Sequence, residues 1–186
     1  MLTYQYAQII NLVQITILKI WLVTFLIFMG LFSLAFQIGA TTLVSDEDAN
    51  TFVQEFLSST QDISGFGIFV NNAHAALPMF VPGFGMVWGA YTGWSTGIGF
   101  ASMAVMAPAL YETTPLSILY MSPFGFMEIV AYSIAMSCSF HIILVLIKRR
   151  KLKQTIRLAA IEVGIVVVLL LIAGYLEEYM INVASM

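Results

Sequence analysis

The sequence predicts an all-α fold, a polytopic membrane bundle of five transmembrane helices with an amphipathic N-terminal lead. Three observations lead there. Of the 186 residues, 60% are hydrophobic and 9% charged, with mean hydropathy +0.94, whereas soluble domains are roughly a quarter charged. The apolar runs have helical length rather than the alternating ten-residue pattern of an outer-membrane barrel. Gly85, Gly89, Gly93, Gly97 and Ala101 recur at every fourth residue, which on a helix makes one bare ridge. Glycine weakens a helix in water by about 1 kcal/mol per residue. In lipid the backbone must bond to itself, so such a helix holds and a neighbour can approach closely. A single integral domain, 1–186, is expected.

Residues 1–19 mix apolar side chains with amides (Gln5, Gln8, Asn11, Gln14), and Lys19 is their only charge. They read as an interfacial lead. Residues 20–40 form the first span, broken only by Thr24, Ser33 and Gln37. That run is too long for a signal-peptide core and Gly39-Ala40 is a poor cleavage site, so retention is expected. Residues 41–63 are an acidic external loop carrying Asp46, Glu47, Asp48, Glu55 and Asp62. Ser45 or Asp46 caps a short helix within it, with acids favourably placed in its first turn.

Residues 64–81 make the second span, or a helix that stops within the membrane. Pro78 cannot donate to the His74 carbonyl, and Pro82-Gly83 is a turn. The glycine-ladder helix follows to about residue 106 and is read as the helix the others pack against. The alternative is a seam that slides or lines a cavity. Thr114-Pro115 starts a one- or two-turn helix in the connector, and Ser122-Pro123 caps the fourth span, which runs to residue 147. The last span covers 158–175, close to Glu177 and Glu178.

Six of the seven basic residues lie at 148–157, which places that loop in the cytoplasm. Counting back gives a multi-pass protein of the cell membrane, N-terminus cytoplasmic and C-terminus external. Lys148, Arg149, Arg150, Lys151 and Lys153 are expected to meet anionic lipid headgroups. Besides the lipid bilayer, other membrane proteins are the expected partners; nothing but charge would support nucleic acid.

Four pieces occur in a telling order: Phe69-Val70-Asn71-Asn72, the glycine-rich helix, Ser122-Pro123-Phe124-Gly125-Phe126-Met127-Glu128-Ile129-Val130-Ala131, and Ile172-Ala173-Gly174-Tyr175-Leu176-Glu177. Together they resemble the stage II sporulation protein M family of polytopic membrane proteins. The resemblance implies a membrane subunit without assigned catalysis. In spore formers such a subunit works with a complex that remodels the cell wall during engulfment. It also implies a loose architectural likeness to the permease halves of ABC exporters, by analogy alone. Two positions depart from the family pattern. Phe124 stands where the family usually has histidine, and Thr96-Gly97 where it tends to have Asn-Gly, so any step served by that histidine and asparagine is lost here.

The candidate intramembrane polar site is Asn71, Asn72, His74, Glu128 and Glu177. A carboxylate inside the bilayer costs roughly 2.5–3.5 kcal/mol on insertion scales unless partnered. Glu128 shares a small, polar helix face with Ala131, Tyr132, Ala135 and Ser139, and Asn71, Asn72 and His74 are its natural donors. The expected reading is an interhelical hydrogen-bond knot with Glu128 protonated; the alternatives are a proton, ion or substrate site, or Glu128 reaching the interface. Glu162 is expected to pair locally with Arg157, and His141 to be a hydrogen-bonded interior histidine. A lone Cys138 gives no internal disulfide and no cysteine cluster. No His-Glu-x-x-His, Gly-x-Ser-x-Gly or phosphate loop is present, so no enzyme, cofactor or metal is expected. The function expected is a non-enzymatic membrane subunit or scaffold of a larger assembly, with a transporter or exporter-permease-like subunit as the alternative.

Overall fold

The computed structural model describes residues 2–60, 63–149 and 152–184, with side chains of the first helix described from Leu18 onward. Asp62, Arg150 and Lys151, named above in the acidic and basic loops, lie outside the described residues, as do the side chains of the proposed lead up to residue 17. Seven α-helices and two short 3-10 segments make up the described chain. In order they are α1 (Leu2–Ala40), α2 (Asp46–Thr60), α3 (Gly65–Ala76), α4 (Phe84–Met106), α5 (Pro115–Met121), α6 (Pro123–Ile147) and α7 (Leu152–Ala184). The 3-10 segments are Leu77–Phe80, continuing α3, and Pro108–Glu112, after α4.

Among the described residues three helices are long and apolar enough to cross a membrane: Leu18–Ala40 within α1, Pro123–Ile147, and Thr155–Val183 within α7. The glycine helix α4 has the length, at 23 residues, but its glycines and hydroxyls keep it out of that set. Helix α3 has 12 residues, about 18 Å of rise, and its 3-10 continuation brings it to roughly 26 Å.

The caps follow local chemistry. The Ser45 hydroxyl accepts from the Asp48 amide at 3.2 Å and donates to its carboxylate at 2.6 Å, opening α2. Ser64 accepts from the Gly67 amide and Ser122 from the Gly125 amide, each at 3.2 Å, and Pro123 occupies the first turn of α6, where its missing N–H is not needed.

Two sequence expectations change. The lead and first span are one 39-residue helix, about 58 Å long, because nothing between residues 2 and 40 breaks helical bonding and amides are tolerated there. The last helix runs to Ala184 instead of ending near residue 175. The most buried helix of the bundle is α6. Residues 131–139 are buried on every side, and 56% of its span is buried against 17% for α1 and α7. Small side chains at Ala131, Ser133, Ala135, Ser137 and Ser139 let neighbours close around it. Helix α4 keeps an outer stripe of Phe84, Val87, Tyr91 and Trp94 exposed, while its other faces meet α1, α2, α6 and both 3-10 segments, as expected of the helix others pack against.

The glycine ladder faces inward. A Cβ at Gly93 would stand 2.8 Å from the Phe32 carbonyl oxygen, and one at Gly97 would strike the Phe36 carbonyl oxygen and the Ala40 amide. Gly39 answers from α1, where an added Cβ would strike the Trp94 carbonyl oxygen. Gly85 abuts the Met79 carbonyl and Gly89 the Met136 side chain. The ridge therefore meets three partners in turn: the 3-10 segment, α6 and α1. Ala101, near the C-terminal end of α4, is buried as well.

Candidate functional site

The break between α3 and α4 organises the site. Pro78 sits in the 3-10 segment, and the nearby Ala75 carbonyl accepts the Trp88 indole N–H at 3.0 Å. Gly83 takes φ 79°, open to glycine at little cost, and reverses the chain. Ser139 of α6 holds both sides of the reversal, donating to the Val81 carbonyl at 2.7 Å and accepting from the Gly83 amide at 3.1 Å. Eight residues separate Ser139 from Ile147, so the turn lies about 12 Å short of the basic end of α6. A non-helical backbone at such a depth has to be satisfied by protein or a cavity, and the Ser139 hydroxyl provides two of the bonds.

One turn of helix beyond the start of α6 lies the first polar cluster. Asn72 Nδ2 donates to Glu128 Oε1 at 2.6 Å. Glu177 of α7 is within electrostatic reach of Glu128 and of the buried Tyr132. The structure thus brings Asn72, Glu128 and Glu177 together from three helices. Asn71 and His74 do not join them; both are exposed. At 100° per residue His74 lies about 200° from Asn72 around the helix, and Asn71 about 100° the other way. The inward face of α3 is Ile68, Asn72 and Ala76, so one asparagine of the pair reaches the acid.

A second cluster, toward the basic end, joins α1, α6 and α7. Trp21 Nε1 donates to Glu162 Oε1 at 2.6 Å, and the buried Cys138 lies within electrostatic reach of the same carboxyl group. Glu162 is held by the Trp21 indole instead of closing on Arg157, which is exposed. Thr24 Oγ1 donates to backbone carbonyls of its own helix, 3.0 Å from Ile20 O and 2.9 Å from Trp21 O. It stands 3.0 Å from both Ser137 Oγ and His141 Nε2. His141 is an interior, hydrogen-bonded histidine. Trp21, Thr24 and Ser137 escape sequence reasoning because no local pattern marks them; the signal available was a lone acid, Glu162, one turn inside an apolar run.

A third link is Ser33 with Tyr120, 2.6 Å apart, which ties α1 to α5. Ser133 and Ser102 instead bond back to their own helices, at Ile129 O and Ile98 O.

The family model described as Stage II sporulation protein M matches residues 12–180 of this chain. No curated protein and no solved structure matches it.

Proposed function

The chain belongs to the stage II sporulation protein M family, and from that premise we propose that it is a non-enzymatic membrane subunit, a scaffold within a larger membrane assembly. One observation carries this reading. Among the described residues every buried side-chain nitrogen and oxygen has a partner, and those partners lie on other helices or on the same helix's carbonyls. Polar groups paired in this way lock helices together. The long helices α1 and α7 meanwhile expose apolar faces, including Leu26, Leu34, Ile165 and Val168, where lipid or a partner's helices lie.

The reading includes five membrane helices, with α3 and α4 entering as a hairpin from the external side and the ladder of α4 as a glycine zipper. The N-terminus is cytoplasmic and the C-terminus external. Because the hairpin enters and leaves on one side, this sidedness holds whether or not its turn reaches the cytoplasm. Lys148, Arg149 and Lys153, on the cytoplasmic side, contact anionic headgroups.

A transporter-like subunit is the second reading, favoured by one feature: two acids, Glu128 and Glu177, share the space beside a broken helix, an arrangement suited to ion or proton coupling. Purification in mild detergent separates the two. A stoichiometric wall-remodelling or other membrane protein supports the scaffold, and a stoichiometric ATPase supports transport.

A further inference from the structure

A cavity of about 350 Å³ opens on the face opposite the basic cluster, small but within the range of binding pockets. It lies where the outer ends of α1 and α4 meet the connector, and Ala40, Leu43, Phe100, Ala104, Leu110 and Pro115 line it. Its lining hydroxyls are engaged within the chain: Thr41 and Thr42 donate to the Ile38 carbonyl or its neighbour, and Thr113 donates to the Leu110 carbonyl. What the cavity offers a ligand is apolar surface. Leu43 stands at its mouth 99% exposed, with no packing of its own.

The rim carries charge of one sign. Two residues past Val44, which lines the cavity, begin Asp46, Glu47 and Asp48 in the first turn of α2, a helix fixed in place by buried Ala49 and by Phe52 against Gly99. Every lysine and arginine of the chain is at position 19 or within 148–157, at the other end of the bundle. Among the described residues no lysine or arginine lies at this end of the bundle, so a cation complementary to the rim is one that a partner brings.

We propose that this cavity is a docking site for an externally exposed segment of a partner protein that presents a large apolar side chain flanked by lysine or arginine. Charge decides among the occupants. A second copy would bring the same acidic face, and anionic lipid headgroups would be repelled; a basic, apolar peptide meets both the lining and the rim. The proposal rests on the scaffold reading in that it needs a partner, and it names the place and chemistry of contact.

The test is photo-crosslinking in intact cells from a benzoyl-phenylalanine placed at position 43, with position 168 as a lipid-facing control, and mapping of the joined peptide by mass spectrometry. The expected product joins position 43 to another protein, at a segment with lysine or arginine beside an apolar residue. The doubly neutralised Asp46→Asn/Glu47→Gln variant should lower its yield at least fivefold, and the cavity-filling Ala104→Leu variant should do the same. Asp48 is left intact because its carboxylate holds the Ser45 hydroxyl that caps α2. Should Ala104→Leu fail to accumulate, the neutralised variant carries the test alone. Adducts only to lipid, to a second copy or to an acidic segment, or a yield indifferent to the neutralised rim, would overturn the proposal. A partner that copurifies with the chain while position 43 stays unlinked would refute this docking site and leave the scaffold reading standing.

Discussion

Asn72 and Glu128 lie 56 residues apart in sequence and 2.6 Å apart in space, amide nitrogen to carboxyl oxygen. The contact fastens the short helix α3 to the most buried helix of the bundle. At the far end of the same pair of segments, Ser139 fastens the turn that follows. Two side chains of α6 thereby fix the α3 arm of the hairpin and its turn, and the packing of Ala76 and Met79 against Ile129 and its neighbours fills the length between them.

The hairpin turn is expected to sit below the membrane surface. In a Cys138→Ala background, cysteine at position 48 should label from outside, and cysteine at position 149 only after permeabilisation. Cysteine at position 82 should react more slowly than either with a charged maleimide. Labelling of 48 and 149 from one side would refute the sidedness, and fast labelling of 82 from the cytoplasm would show a turn at the surface.

Glycines in the chain should divide by what their Cβ would meet. Gly97→Leu and Gly93→Leu force a side chain into the α1 backbone, and overpacking costs about 1–3 kcal/mol. Gly164 has nothing within 4 Å, so Gly164→Leu should melt in detergent like the parent. Equal melting of Gly97→Leu and Gly164→Leu would show that α1 and α4 are not in contact.

Ser139→Ala removes both side-chain bonds to the turn while leaving the helix intact. Hydrogen bonds of this kind in membranes average about 0.6 kcal/mol, so a modest fall in thermal midpoint is expected, together with faster labelling of cysteine at position 82. A slower or unchanged rate would mean that the turn is held by packing alone.

Much of this was legible from sequence where the signal is local. Ser122-Pro123 opens α6, Thr114-Pro115 opens α5 and Pro82-Gly83 reverses the chain, because capping and φ preferences act within a few residues. The four-residue spacing of glycines likewise marked a close helix contact. What was hidden depends on rotation and on partners. Asn71, Asn72 and His74 look equivalent in sequence, yet the helix turns only Asn72 toward Glu128. Glu162 suggested Arg157 through proximity in the chain, while its partner Trp21 comes from 141 residues away. Helix α6 gave no strong amphipathic stripe because it is surrounded, which is why its central place could not be read from one face.

The second cluster should behave as a structural lock. Trp21→Phe leaves Glu162 without its indole donor and should lower the thermal midpoint, whereas Glu162→Gln keeps an oxygen to accept from Trp21 and should change it less. The reverse order would mean that the carboxylate charge, not its hydrogen bond, matters there.

The most direct test of the account is replacement of Glu128 in a deletion strain, with membrane levels measured alongside. Glutamine keeps an oxygen for Asn72 and removes both the titratable proton and the charge facing Glu177. If Glu128 is a structural partner, Glu128→Gln complements and Glu128→Leu, which strands the Asn72 amide, complements poorly. Failure of Glu128→Gln at normal membrane levels would contradict the scaffold reading at this residue and put proton or ion coupling in its place.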